Sequence, residues 1–176
     1  MIEPLAGVGQ WRRAQVRRPH LCAAATRDET GALEHLEMLA DRLPRHRKTR
    51  GELTEIRFLL MAASYGLAVC KPWGENHPFD FAVYCKRTKR FYRIQVKSCI
   101  SRKSGGYIVI TKRSGDRRYT GREIDFIAAY IIPADAWYII PNRALAGRKC
   151  IYVYPHKQHS RGIFAKYRDC WQLLRA

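Results

Sequence analysis

Apolar positions along this chain change period several times, and each change marks an element. Leu53, Ile56, Leu60 and Ala63 recur at helical spacing, and Gly66 follows as a terminator, so the pattern predicts a helix over 51–65. Residues 67–71 read as a short strand, and 72–77 as a loop. Residues 79–85 are aromatic and β-branched with no glycine, which predicts a strand. The charged run 86–90 is its hairpin loop, and 91–99 the returning strand. Gly105 and Gly106 open a further strand over 107–111. Residues 124–132 and 137–140 are almost continuously apolar, as in central strands covered on both faces, with 133–136 as the turn between them. A strand over 150–154 and a closing helix over 163–174 complete the pattern. Phe164, Tyr167, Trp171 and Leu174 fall at helical spacing in that last segment, a stripe suited to the core or to a subunit contact.

The N-terminal part is different. Residues 1–28 show little periodicity, and Leu33, Leu36, Leu39 and Leu43 suggest a short helix ending before Pro44. We read 1–44 as a mobile leader with a short helix near 30–43, and 45–176 as the single folded domain. Met38 is a candidate native start, which would make 1–37 extraneous. Arg45 to Arg50 form a basic junction, a solvated linker whose Arg50 could contact phosphate.

Charge sharpens this division. The chain of 176 residues carries a net +18 with a pI near 10.1. Residues 1–44 hold six Lys/Arg and six Asp/Glu, whereas 45–176 hold 27 against nine, so the whole excess belongs to the domain. A polyanion is the expected partner. No basic amphipathic helix or lipidation signal points to a membrane, no apolar run is long enough to span one, and no export signal is recognisable. The expected location is the cytoplasm, in association with the nucleoid. Six scattered cysteines without a C-x-x-C pair then read as reduced and buried. Zinc bound by His77, Cys85 and Cys99 finds no support in their spacing.

The strand pattern also brings chemistry together. Side chains alternate faces along a strand, so Gln95 and Lys97 share one face, and an in-register hairpin lets Asp80 approach both. A carboxylate, an amide and an ammonium at one end of a sheet suit a divalent cation and a phosphate. Glu52 and Glu55 lie on one side of the predicted helix, where acids complement the helix dipole, and Glu55 could also reach the cation through water. His77 in the preceding loop is near enough in sequence to touch phosphate, although a loop histidine is more often a surface group. Lys112, Arg113, Arg117, Arg118 and Arg122 cluster around Gly115 and Gly121, in a loop able to follow a phosphate backbone or simply to remain solvated.

Gly51 to Glu55, then Pro78-Phe79-Asp80, then Gln95-Val96-Lys97-Ser98, resembles the PD-(D/E)XK nuclease superfamily, and within it the QxK branch that includes group I intron-encoded homing endonucleases. The resemblance spans roughly 48–141. It implies an α/β (α+β) fold with a restriction-endonuclease-like αβββαβ core, a mixed sheet flanked by helices. It also implies Mg²⁺-dependent cleavage of double-stranded DNA, with Mn²⁺ as a substitute ion and a homo-oligomer as a possible assembly. Glu55, Asp80, Gln95 and Lys97 occupy the active-site positions, and Asp80, the Val96 carbonyl and Glu55 the metal positions. Tyr119 and Asp125 resemble a further tyrosine–aspartate pattern of that branch, and we treat them as structural. Gln95 stands where most of the superfamily has an acid, so weaker metal binding is expected.

Three classes of function follow: a Mg²⁺-dependent DNA endonuclease of homing, restriction-like or junction-resolving type; a catalytically weak or inactive protein of the same fold that binds nucleic acid; and a basic RNA-binding protein in which the motif is coincidence.

Overall fold

The computed structural model describes residues 46–74, 76–156 and 162–175. The leader 1–44, its helix near 30–43 and the Met38 start lie outside the described residues.

Helix α1 (Arg47–Ser64) comes first, followed by β1 (Ala68–Cys70), β2 (Phe81–Cys85) and β3 (Arg90–Cys99). Two further strands, β4 (Arg102–Lys103) and β5 (Gly106–Ile110), precede β6 (Phe126–Ile131) and β7 (Ala136–Pro141). A one-turn helix α2 (Asn142–Leu145) and β8 (Cys150–Val153) follow. A five-stranded sheet has the order β1-β2-β3-β6-β7, and β4-β5-β8 form a second, three-stranded sheet. In the larger sheet β3 and β6 run parallel and every other pair is antiparallel, so the mixed sheet of the expected α+β class is present. The chain passes from β3 to its parallel neighbour through β4, β5 and a 3-10 turn at Ser114–Asp116, in keeping with the strand and loop read from these residues and in place of the helix that the αβββαβ order implied.

Each face of the main sheet is covered. Phe81, Val83, Ile94, Val96, Ala128 and Ile139 pack with Phe58 of α1 and with Trp171 and Leu174 near the C-terminus. Ile127, Ala129, Tyr138 and Ile140 point the other way and pack against Tyr107, Val109, Ile151 and Val153 of the small sheet. All residues of β6 and β7 are buried, as their unbroken apolar runs predicted. In strand order, however, β7 is an edge. Its backbone is covered by the C-terminal segment: Asp169 N–H donates to Trp137 O at 2.8 Å, and Trp137 N–H donates to the Asp169 carboxylate at 3.1 Å.

Two expectations are corrected. The residues that predicted α1 are not those it buries: Leu53, Ile56 and Leu60 are 47, 55 and 66% exposed, whereas Thr54, Phe58 and Ala62 are buried. Apolar side chains occur on several sides of this helix, and an aromatic cluster selects the face. Phe58 lies 5.2 Å from Phe81, 5.8 Å from Trp137 and 5.6 Å from Trp171, all within the range of favourable ring pairs. The second correction is the closing helix. Residues 163–174 form two 3-10 turns, Ala165–Tyr167 and Trp171–Leu174. Between them Asp169 takes a left-handed conformation with φ 49°, because its backbone is engaged with the edge of β7 and not with a helical turn. Trp171 and Leu174 still enter the core.

Candidate active site

Asp80 sits one residue before β2, and its position is fixed by the β2–β3 hairpin. The register pairs Phe81 with Ile94, and the Asp80 N–H donates to Ile94 O at 2.9 Å, extending the ladder by one bond. Phe81 faces α1, so Asp80 takes the opposite face with Gln95 and Lys97. There the Asp80 Oδ2 accepts a 2.7 Å bond from the Val96 N–H and a 2.5 Å bond from the Gln95 Nε2, whose amide also reaches Val96 O at 3.3 Å. Gln95 is buried, so this contact is its principal hydrogen-bonding outlet. Both bonds fall on Oδ2 and leave Oδ1 for a cation.

Burial is the main cause that lifts the Asp80 pKa from 3.8 to about 6. The Val96 hydrogen bond and the Lys97 charge oppose the rise, while the nearby Glu55 carboxylate adds to it. Lys97 shows the complementary effect. Burial lowers its pKa from 10.5, and attraction to Asp80 restores part of the loss. The two groups are thus on one side of the sheet, each sensing the other's charge. The Lys97 Nζ lies 5.5 Å from the centre of the Tyr119 ring, a cation–π contact that gives Tyr119 a place beside the site. Burial and the Asp80 charge push the Tyr119 phenol up to about 12, so it remains protonated.

Glu55 reaches the same region from α1. With Glu52, Asp80 and His77 it lines a cavity of about 360 Å³. The helix begins at Arg47, four residues earlier than the spacing predicted, and its first turn holds no acid. The dipole therefore does not explain Glu52 and Glu55. A lysine that the sequence reading passed over contacts Glu55 instead: Lys71 Nζ donates to Glu55 Oε2 at 2.9 Å. The sequence gives no signal for this contact, because it joins the end of a three-residue strand to a helix 16 positions earlier. Arg47 and Lys48 also line the cavity, whereas Arg50 points into an apolar groove with Leu53, Ile56 and Tyr130. His77 Nε2 bonds to Trp73 O at 2.9 Å, a contact that holds the loop and uses that nitrogen as the donor.

Of the basic loop residues, two are neutralised locally. Lys112 pairs with Asp116 at 2.7 Å, and Arg113 pairs with Glu123. Asp116 is also bonded to Lys149. Arg117, Arg118 and Arg122 are exposed and enter no ion pair among the described residues. Asp125 receives the Arg93 backbone N–H at 2.8 Å and its guanidinium at 3.0 and 3.1 Å, and Arg93 also bonds to the carbonyls of Gly121 and Arg122. That network fastens the start of β6 to β3, in keeping with a structural aspartate.

No group of three or more His, Cys, Asp or Glu able to hold a metal exists among the described residues. Cys85 and Cys99 are buried free thiols, whereas Cys70 and Cys150 are exposed free thiols at strand ends, against the expectation that the cysteines are buried. Asp80 and Glu55 line one cavity and the Val96 backbone bonds Asp80, and the carboxylate and carbonyl oxygens of these residues are of the hard type that suits a hydrated divalent cation such as Mg²⁺.

Asp80 clasped by the Val96 N–H, Lys97 next in the strand, and Glu55 brought to the same cavity by the preceding helix reproduce the arrangement expected from the sequence. The sequence profile of the PD-(D/E)XK endonucleases matches residues 45–174, and the chain belongs to that family. Its members generally use divalent metals. Among solved structures the chain is similar to a bacterial homing endonuclease, I-Ssp6803I, with a TM-score of 0.61 and 25% identity over 74% of this chain and 91% of that one. No curated protein matches its sequence. No helix among the described residues is long and apolar enough to cross a membrane.

Proposed function

We propose that the protein is a Mg²⁺-dependent endonuclease that hydrolyses phosphodiester bonds of double-stranded DNA, with Glu55, Asp80, Gln95 and Lys97 as its active-site residues. The observation that carries this reading is the placement of Asp80 and Lys97 on one face of the β2–β3 hairpin, both largely buried and each feeling the other's charge. Asp80 Oδ1 and the Val96 carbonyl would hold the ion, with Glu55 reaching it through water. The bound ion supplies Lewis acidity, activating a water and drawing charge from the phosphoryl oxygen. Gln95 keeps the Asp80 carboxylate in one orientation through its Oδ2. Lys97, as an ammonium on the same face, would orient the attacking water and offset charge on the phosphate. Mn²⁺ would serve in place of Mg²⁺.

Arg117, Arg118 and Arg122 would follow the DNA backbone, with Lys112 and Arg113 shaping their loop. Arg50 would contribute only from its own side of α1. Of the homing, restriction-like and junction-resolving types, homing is favoured, since the similar solved structure is a homing endonuclease. Cutting both strands would call for two copies related by symmetry.

Gln95 supports one alternative, a protein of this fold that binds DNA with little or no cleavage. Its amide nitrogen already bonds Asp80, and it brings no negative charge to the ion. Incubating the purified protein with supercoiled plasmid and Mg²⁺ separates the two readings. The expected result is nicking or linearisation that EDTA and Lys97→Ala both abolish. Retained DNA binding without cleavage by the wild type would favour the alternative, and nicking that survives Lys97→Ala would refute the assignment of Lys97.

A further inference from the structure

Lys71 has no part in the motif, yet it bonds directly to one of the two acids of the site. Its Nζ is 2.9 Å from Glu55 Oε2, and it lines the same cavity as Glu52 and Asp80. All three carboxylates stabilise its charge. The partners are unequally held: the Lys71 side chain is 65% exposed and the Glu55 side chain 26%. Lys71 lies just past the end of β1, so no ladder bond fixes it, and its ammonium rests 5.7 Å from the centre of the Phe81 ring. The glutamate is therefore the anchored half of the pair and the lysine the half free to swing.

Charge makes the contact consequential. With an amide at position 95, Glu55 and Asp80 are balanced by Lys71 and Lys97. For as long as Lys71 stays in place these four groups sum to no net charge, within a cavity wall that also carries Glu52, Arg47 and Lys48. Once Lys71 leaves, the same donors present one net negative charge. A long, flexible ammonium released beside the cavity is itself a phosphate ligand.

We propose that Lys71 is a displaceable counter-ion of the acidic pair, held on Glu55 until a divalent cation takes that carboxylate and transferred then to a phosphate oxygen of the bound DNA. Metal and DNA then assist each other's binding, because each draws on the same lysine movement and linkage is reciprocal. This inference rests on the proposed nuclease reading of the site.

The test measures binding and not turnover. Mn²⁺ is titrated into the full-length protein while free Mn²⁺ is followed by electron paramagnetic resonance, with Glu55→Gln identifying which binding belongs to this site. Lys71→Met should bind Mn²⁺ about tenfold more tightly than wild type, the scale of losing one partly exposed opposing charge a few ångströms away. Lys71→Arg, which keeps the charge, should behave as wild type. In a second measurement, Ca²⁺ should tighten binding of a fluorescent random-sequence duplex to wild type by a clearly larger factor than to Lys71→Met. Unchanged or weaker Mn²⁺ binding by Lys71→Met, or a Lys71→Arg protein resembling Lys71→Met, would overturn the inference and leave the nuclease reading intact. Absence of Glu55-dependent Mn²⁺ binding in all variants would overturn both.

Discussion

Asp80→Asn should make the folded domain more stable at pH 8 while removing its proposed ion-binding charge. The carboxyl has a pKa of about 6 in the fold against 3.8 as its ordinary value, with burial the leading cause. A folded pKa above the unfolded one means that the native state holds the proton more tightly. Its contribution to stability is complete below the unfolded pKa and is lost as pH rises through the folded pKa. Above pH 6 the ionised group thus weakens the fold by about 3 kcal/mol, at roughly 1.4 kcal/mol for each unit of difference. Asparagine is never ionised, but its amide oxygen is a poorer acceptor for the Val96 N–H, which returns about 1 kcal/mol. The net gain of about 2 kcal/mol corresponds to a melting temperature raised by roughly 6 °C for a domain of this size. Thermal or urea unfolding of both proteins at pH 4, 6 and 8, without divalent ions, measures it. The gain should be present at pH 8 and absent at pH 4, where wild-type Asp80 is already protonated in the fold. Added Mg²⁺ at pH 8 should stabilise wild type alone. An Asp80→Asn protein no more stable than wild type at pH 8, or equally stabilised at pH 4, would refute the claim that the site holds a carboxylate against its preference.

Other substitutions separate structure from recognition. Phe58→Ala should cost about 3–5 kcal/mol in urea unfolding, because Phe58 is fully buried among Phe81, Trp137 and Trp171. Leu60→Ala on the exposed side of the same helix should change stability by less than about 0.5 kcal/mol. Arg93→Met leaves the Asp125 carboxylate without its guanidinium, and should lower stability by about 2–3 kcal/mol for a pair only a quarter exposed, read as a lower urea midpoint. Arg118→Ala should reduce the salt dependence of DNA binding by about one unit of log–log slope, while Lys112→Ala, already paired with Asp116, should change it by less.

The main sheet and the clustering around Asp80 were legible because strand alternation is a strict rule. Once residues 79–85 and 91–99 are read as a hairpin, the face shared by Asp80, Gln95 and Lys97 follows without tertiary information. Helix α1 was located, but not oriented. Leu53, Ile56 and Leu60 have a better helical rhythm than Thr54, Phe58 and Ala62, and only the rings contributed by β2, β7 and the C-terminal segment decide between the faces. The closing segment misled for a related reason. Its aromatic spacing suits a helix, but the open edge of β7 competes for its backbone, and that demand is invisible locally. Lys71 was missed because a contact between a strand end and a distant helix leaves no periodic trace.

The route from β3 to β6 has a consequence for how this protein can diversify. Residues between the two strands include Tyr119, which touches Lys97, and the exposed Arg117, Arg118 and Arg122, while both ends of the excursion are clamped by the parallel pairing and by the Arg93–Asp125 bridge. Exposed side chains of that intervening surface can therefore be exchanged without displacing the hairpin that carries Asp80 and Lys97.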